Sequence, residues 1–372
     1  MRIYLDNNAT TPIDAAVLIL LAESLRDVWG NASSIHKEGQ TARRRIEDAR
    51  EAVAGLIGAT PREIVFTSGG TESNNAAIFG AVPAEGIHHI VTTSIEHPSV
   101  LGPAEELRRR GHRVTLVPPR RNGAVDADEV IAALTPETRL VTMMLANNET
   151  GVVQPVAEVA AVCRERGITM HCDAVQGAGK IDVDVAALGV DTLALSAHKL
   201  HAPKGVGALY VRQGATLAPH LFGGAQERRR RAGTENVPLA AAFGLAAALA
   251  RDPAPRSRVA AMRDRLERAF DDVTINGADA ARVPNTSSIT FRDVDAEGMV
   301  IALDLAGIAV STGSACSSGR VEPSHVLLAM GLSPDEAKST IRFSLSRFTT
   351  EAEIDQTIAT VREVVGRCGV NR

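Results

Sequence analysis

Four short polar segments carry residue types that could do covalent chemistry. The first, Thr67-Ser-Gly-Gly-Thr71-Glu-Ser-Asn74, follows an apolar run and opens a helical one. Glycines there let the backbone approach an anion, and free N–H groups at a helix start favour phosphate. An ordinary strand-to-helix turn capped by Thr71 would use the same residues, and no Walker pattern is present. The second segment ends in Asp173, with Gln176 just beyond. A carboxylate at a strand end can pair with a cation or cap the next helix. Alternation puts Cys172 on the opposite face, as a small buried apolar side chain.

The third segment, Ser196-Ala-His198-Lys199-Leu-His-Ala-Pro-Lys204-Gly, places a lysine at a strand end. Such an amine can form a Schiff base or lie in a solvated loop. Lysine is scarce, with Lys37, Lys180, Lys199, Lys204 and Lys338 the only ones among 40 basic residues. The fourth, Gly313-Ser-Ala-Cys316-Ser-Ser-Gly319-Arg320, sets a thiol among small residues. That reads as an exposed, mobile position, and alone as an incidental surface thiol. A free cysteine titrates near ~8.5, so Cys316 needs a nearby cation or base to react. In combination the segments say more. An imine-forming lysine, an upstream strand-end carboxylate and a phosphate-type turn are what pyridoxal phosphate requires.

These groups need a scaffold that gathers strand ends. Short apolar runs occur at Glu63–Thr67, His89–Thr93, Arg113–Val117, Arg139–Leu145, Ile168–Asp173, Asp191–Ser196 and Gly207–Val211. Helix-length segments separate several of them, such as Pro155–Arg166 and the stripe Ala42, Ile46, Ala49, Val53 and Leu56 that stops at Gly58. The pattern predicts a mostly parallel sheet covered by helices, with ligands at the carboxyl ends of its strands. Leu239–Ala250 reads as a helix, and the Pro-containing stretch after Arg251 as a break. Strands at Ser287–Phe291 and Ile341–Leu345 follow. Ile354, Ile358, Val361 and Val365 then share one helical face, behind a capping box of Thr350 and Glu353. Residues 14–255 are expected to form a large α/β domain. Residues 1–13 and 256–372 are expected to form a small α+β one.

Composition narrows the class. The chain has 372 residues and a formal charge of −4, so no basic field points to nucleic acid. The apolar stretch Pro238–Ala250 is too short to span a bilayer. No export signal is visible at the start, so a cytoplasmic location is expected. Four cysteines without C-x-x-C pairing predict neither a disulfide framework nor a zinc site. Cys163 reads as helix core and Cys368 as a frayed end.

Taken together, the segments resemble the pyridoxal-phosphate-dependent cysteine desulfurases of the NifS/IscS type. The match runs from Tyr4-Leu-Asp-Asn-Asn-Ala-Thr-Thr to Ser339-Thr-Ile-Arg342-Phe-Ser-Leu-Ser-Arg347. Its most specific pieces are Ser196-Ala-His-Lys199, Arg231-Ala-Gly-Thr234-Glu-Asn and Gly313-Ser-Ala-Cys316-Ser-Ser-Gly. The resemblance implies a fold type I, aspartate aminotransferase-like transferase. Its large domain would hold a mainly parallel seven-stranded sheet, and the protein would be a homodimer.

Roles follow from the same resemblance. Lys199 should carry the cofactor and later act as a base. Asp173 should keep its pyridine nitrogen protonated, and Gln176 should bond its phenolic oxygen. Gly70, Thr71, Ser196 and His198 should hold the phosphate, joined by Thr234 from the other subunit. His97, in Ser94-Ile-Glu-His97-Pro, should stack on the ring and exchange protons with substrate. Asn148 and Arg342 should bind the substrate carboxylate. Cys316 should take sulfur from L-cysteine as a persulfide, leaving alanine. The sulfur would pass to a protein acceptor, such as an iron–sulfur scaffold or a sulfur carrier. Cys316 sits in a segment of the long-loop type, and with only Arg367 to Arg372 after the last helix the extended tail that docks a scaffold in some members is not expected. A selenocysteine lyase, an aminotransferase and a non-catalytic sulfur relay are the competing readings. An aminotransferase has no use for Cys316.

Overall fold

The computed structural model describes residues 2–313 and 322–368. Among the described residues, twelve strands run in chain order: β1 Ile3–Tyr4, β2 Ile64–Thr67, β3 His89–Thr93, β4 Arg113–Val117, β5 Thr138–Met144, β6 Thr169–Asp173, β7 Thr192–Ser196, β8 Gly207–Val211, β9 Val273–Ile275, β10 Thr286–Phe291, β11 Ile308–Ala309 and β12 Thr340–Ser344. The seven runs read from sequence are β2 to β8. They form one sheet in the order β2-β8-β7-β6-β5-β3-β4. β8 is antiparallel to both neighbours, and every other pairing is parallel.

β2, β3, β7 and β8 are buried along their whole length, because helices cover both faces. β4 lies at the edge and is partly exposed. β5 begins and ends one residue before its expected range. Leu145 still donates its N–H to the Asp173 carbonyl of β6 at 2.8 Å, but its own carbonyl turns away to accept the Gln154 N–H at 2.9 Å. The helices Lys37–Leu56 and Val237–Ala250 pack closely on one face. A Cβ on Gly244 would lie 2.6 Å from the Ala49 Cα, so only glycine permits that approach. On the other face, the helices Gly70–Ala81 and Pro98–Arg109 bury Ile78, Val100 and Leu107 against Ile90 and Leu140 of the sheet.

A second core joins Ile3 and Leu5 to Ile289, Phe291, Met299, Leu303, Ile341, Phe343 and Ile354. Its antiparallel sheet has the order β12-β10-β9, while β1 pairs in parallel with β11. The last helix, Glu351–Cys368, opens with the expected box. Thr350 N–H donates to Glu353 Oε2 at 2.8 Å, and Glu353 N–H donates to Thr350 Oγ1 at 3.3 Å. The amino-terminal segment touches both cores. Leu5 N–H donates to the Ala309 carbonyl, and Thr11 N–H donates to that of His198. Val326, Leu327, Met330 and Leu332 also return to the core of the large sheet. Among the described residues, no helix is long and apolar enough to cross a membrane.

Candidate active site

The register of the large sheet brings the polar strand ends together. Asp173, the last residue of β6, lies between Met144 of β5 and Ala194 of β7. β7 ends at Ser196, and the turn Ala197–Lys199 carries the lysine back toward the sheet. The helix Gly70–Ala81 starts beside them with no side chain capping it, so its first N–H groups remain available to an anion. A Cβ on Gly70 would come within 2.9 Å of Val175 Cγ2, which explains glycine at that point of the cradle.

One cavity of about 380 Å³ is lined by Lys199, His97, Asp173, Gln176, Gly70, Thr71, Ser196, His198, Asn148 and Arg342. All ten were expected in the site from sequence. Thr234 is exposed and does not line it. Cys316 lies outside the described residues, but Ser311 and Gly313 of the preceding stretch form part of the wall. A Cβ on Gly313 would lie 3.0 Å from Glu149 Oε2, the same atom that accepts the Ser324 hydroxyl. Glu149 thus meets the chain both before and after the cysteine.

Electrostatics inside the cavity favour neutral bases. Lys199 Nζ donates to the carbonyls of Asn8 at 2.5 Å and Ala9 at 2.7 Å. Burial, helped by the nearby Arg342 charge, pushes its amine down to about 8, against the pull of Asp6 and Asp173. His198 is pushed down to about 4 by burial and the Lys199 and Lys204 charges. His97 is lowered by burial and by Lys199 and His325, although Asp173 opposes this. Glu96, buried beside it, is pushed up to about 8. Arg342 donates to Asp6 Oδ1 at 2.7 Å and to the Asn148 carbonyl at 3.0 Å. Asp6 therefore occupies one amino group of the expected carboxylate-binding arginine.

Several residues were missed from sequence. Asn74 donates to Asp173 Oδ2 at 2.7 Å. Lys180 donates to Asn8 Oδ1 at 2.9 Å and to Gln176 Oε1, leaving the Gln176 amide N–H groups for the Asn8 carbonyl and the cavity. Burial holds that amine well below the usual lysine range. The scarcity of lysine was the signal that could have found it. The remaining cysteines in the body of the protein are inert: burial pushes Cys163 up to about 12 and raises Cys172 as well. Among the described residues, no group of side chains is arranged to hold a metal ion.

A mainly parallel seven-stranded sheet with a lysine, a strand-end carboxylate and an anion cradle in one cleft defines a pyridoxal-phosphate-type transferase architecture. The chain belongs to the aminotransferase class-V family, whose model matches residues 3–357. That family is in general pyridoxal-phosphate-dependent. The chain is 47% identical over 372 residues to a cysteine desulfurase of Nostoc sp., covering 98% of this chain and 93% of that protein. Among solved structures it is similar to a NifS-like protein, with a TM-score of 0.92 and 36% identity over 99% of this chain and 100% of the other. It is also similar to SspA in complex with cysteine, with a TM-score of 0.85 and 37% identity over 94% of this chain and 100% of that one.

Proposed function

We propose that this chain is a cysteine desulfurase that binds pyridoxal phosphate in the cavity and passes sulfur from L-cysteine to Cys316. The observation that carries this reading is the shared wall. Lys199, Asp173 and the Gly70 cradle face Arg342 across it, and the residues leading to Cys316 complete it. The residues fit the cofactor. An amine of lowered basicity, a carboxylate and an uncapped helix start match its aldehyde, ring nitrogen and phosphate in turn.

Bound there, the cofactor would supply an electron-withdrawing ring that stabilises negative charge at the substrate Cα. The side chains do the rest. Gly70, Thr71, Ser196 and His198 hold the phosphate, and Thr234 reaches it from a second copy in a homodimer. Asp173 keeps the ring nitrogen protonated, and Gln176 donates to the phenolic oxygen. Arg342 and the Asn148 side chain orient the substrate carboxylate. Lys199, neutral at mildly alkaline pH, takes the Cα proton. His97 stacks on the ring and exchanges a proton with the substrate. The Cys316 thiolate then attacks the substrate sulfur. The new S–S bond forms as the substrate C–S bond breaks, its electron pair going to carbon. One thiol and one cysteine become one persulfide and one alanine. A protein acceptor or an added thiol removes the sulfur and restores Cys316, supplying iron–sulfur or thio-cofactor synthesis in the cytoplasm.

The test is alanine release from L-cysteine with a thiol reductant, comparing wild type with Cys316→Ala. Both proteins are first checked by visible absorption for bound cofactor. Alanine from wild type alone is expected. No alanine from cofactor-loaded wild type, or alanine from both proteins, would overturn the reading. Pyridoxamine formation with a keto acid would point to an aminotransferase instead.

A further inference from the structure

Two groups read as cofactor-facing, Asp173 and His97, are joined by the side chains of Asn74 and Ser99, which also line the cavity. Asn74 lies in the second turn of the helix Gly70–Ala81 and is fully buried. Its Nδ2 lies 2.7 Å from Asp173 Oδ2 and 2.8 Å from Ser99 Oγ. Its Oδ1 lies 3.0 Å from His171 Nε2, and His171 Nδ1 lies 2.9 Å from Thr192 Oγ1. Ser99 Oγ is in turn 2.8 Å from His97 Nδ1, which also accepts the Ser99 N–H at 3.1 Å.

Each proton in this chain has one consistent place. A carboxylate only accepts, so the Asn74 amino group must face Asp173, and its oxygen must face His171. His171 then carries its proton on Nε2. Burial pushes this ring down to about 3, so it is neutral and its Nδ1 accepts from the Thr192 hydroxyl. The second Asn74 N–H donates to Ser99 Oγ, and the Ser99 hydroxyl proton is directed at His97 Nδ1. His97 is left with its proton on Nε2.

We propose that Asn74 and Ser99 are positioning residues: one amide orients the Asp173 carboxylate and, through the Ser99 hydroxyl, holds His97 as the neutral tautomer protonated on Nε2. Before His97 can take up a second proton, that hydroxyl must turn away. The relay therefore helps set the pH at which His97 exchanges protons, together with the Asp173, Lys199 and His325 charges that face the ring. The kinetic consequence rests on the desulfurase reading, whereas the bonding pattern does not.

The experiment is ¹⁵N NMR of protein labelled at histidine ring nitrogens, with and without pyridoxal phosphate. His97 is assigned from the signals lost in His97→Asn. Wild type should show Nε2 protonated and Nδ1 bare. In Ser99→Ala the backbone N–H still holds the tautomer, but the His97 titration midpoint should rise by roughly half a unit to one unit. Ser99→Thr should restore it. Asn74→Leu should move the midpoint the same way and also weaken pyridoxal phosphate binding to the apoprotein, which Ser99→Ala should leave unchanged. A proton on Nδ1 in wild type would overturn the proposal, as would an unmoved midpoint in Ser99→Ala. An Asn74→Leu protein that folds with an unmoved midpoint would overturn the coupling to Asp173; if it does not fold, the Ser99 pair decides. No turnover is needed, so a protein that releases no alanine but shows this pattern would sink the function and keep the relay.

Discussion

The amine of Lys199 is held 2.5 Å from the carbonyl oxygen of Asn8, a residue 191 positions away in the sequence. Burial, aided by the Arg342 charge, outweighs the pull of Asp6 and Asp173 and brings the amine down to about 8, from an ordinary value of 10.5. Between those two values the unfolded chain keeps a proton that the folded chain has lost. Stability of the cofactor-free protein should therefore rise with pH across that window. Calorimetric melts from pH 7.5 to 10 should show a smaller rise in Lys199→Met than in wild type. Equal slopes would mean that Lys199 is not depressed.

Removing the carboxylate of Asp173 should weaken the cofactor rather than the fold. A charge-assisted hydrogen bond contributes about 1.5–3 kcal/mol, so Asp173→Ala should bind pyridoxal phosphate roughly 10- to 100-fold more weakly. Absorbance titration of the apoprotein measures this directly. Wild-type affinity would show that Asp173 does not face the ring nitrogen.

Arg342 serves two partners, and its substitution should separate them. Arg342→Ala should raise the KM for L-cysteine at least about tenfold. It also leaves the Asp6 carboxylate, with a side chain only 20% exposed, without its guanidinium. A loss of about 3 kcal/mol in stability is expected, and adding Asp6→Asn should recover part of it but none of the KM. Denaturant melts and initial rates on the three proteins would decide. Full recovery of KM in the double variant would remove Arg342 from substrate binding.

The contact between Gly244 and Ala49 offers a purely structural test. Gly244→Ala must push two helices apart, at a cost of about 1–3 kcal/mol. Kinetic constants of the folded variant should match wild type, because neither helix contributes a side chain to the cavity. Unchanged urea melts would show that the helices separate freely.

What was readable from sequence follows from the physics of parallel sheets. Strands buried on both faces must be apolar runs, and the polar residues that stop them must lie at one edge, as Asp173 and Ser196 do. Strand and helix limits moved by only a residue or two, as at Leu145. Residues whose work depends on distant segments were not readable. Asn8 reaches Lys180 across 172 positions, and Asn74 reaches Asp173 across 99. No local pattern marks such pairs. Asp6 was also invisible as the rival of substrate for Arg342, since the charge of a carboxylate says nothing about which cation it will meet. Thr234 took its role only from resemblance, and within one chain it meets no part of the cavity.

The burial of Cys163 and Cys172 has a practical side. The chain holds four sulfhydryls, and these two are closed off and strongly averse to ionising while it is folded. An alkylating reagent applied to the native protein can therefore count no more than two. A gain of one sulfur atom in mass, followed by digestion, need be sought on only two peptides, those containing Cys316 and Cys368. The fold itself supplies the clean background against which a transferred sulfur can be weighed.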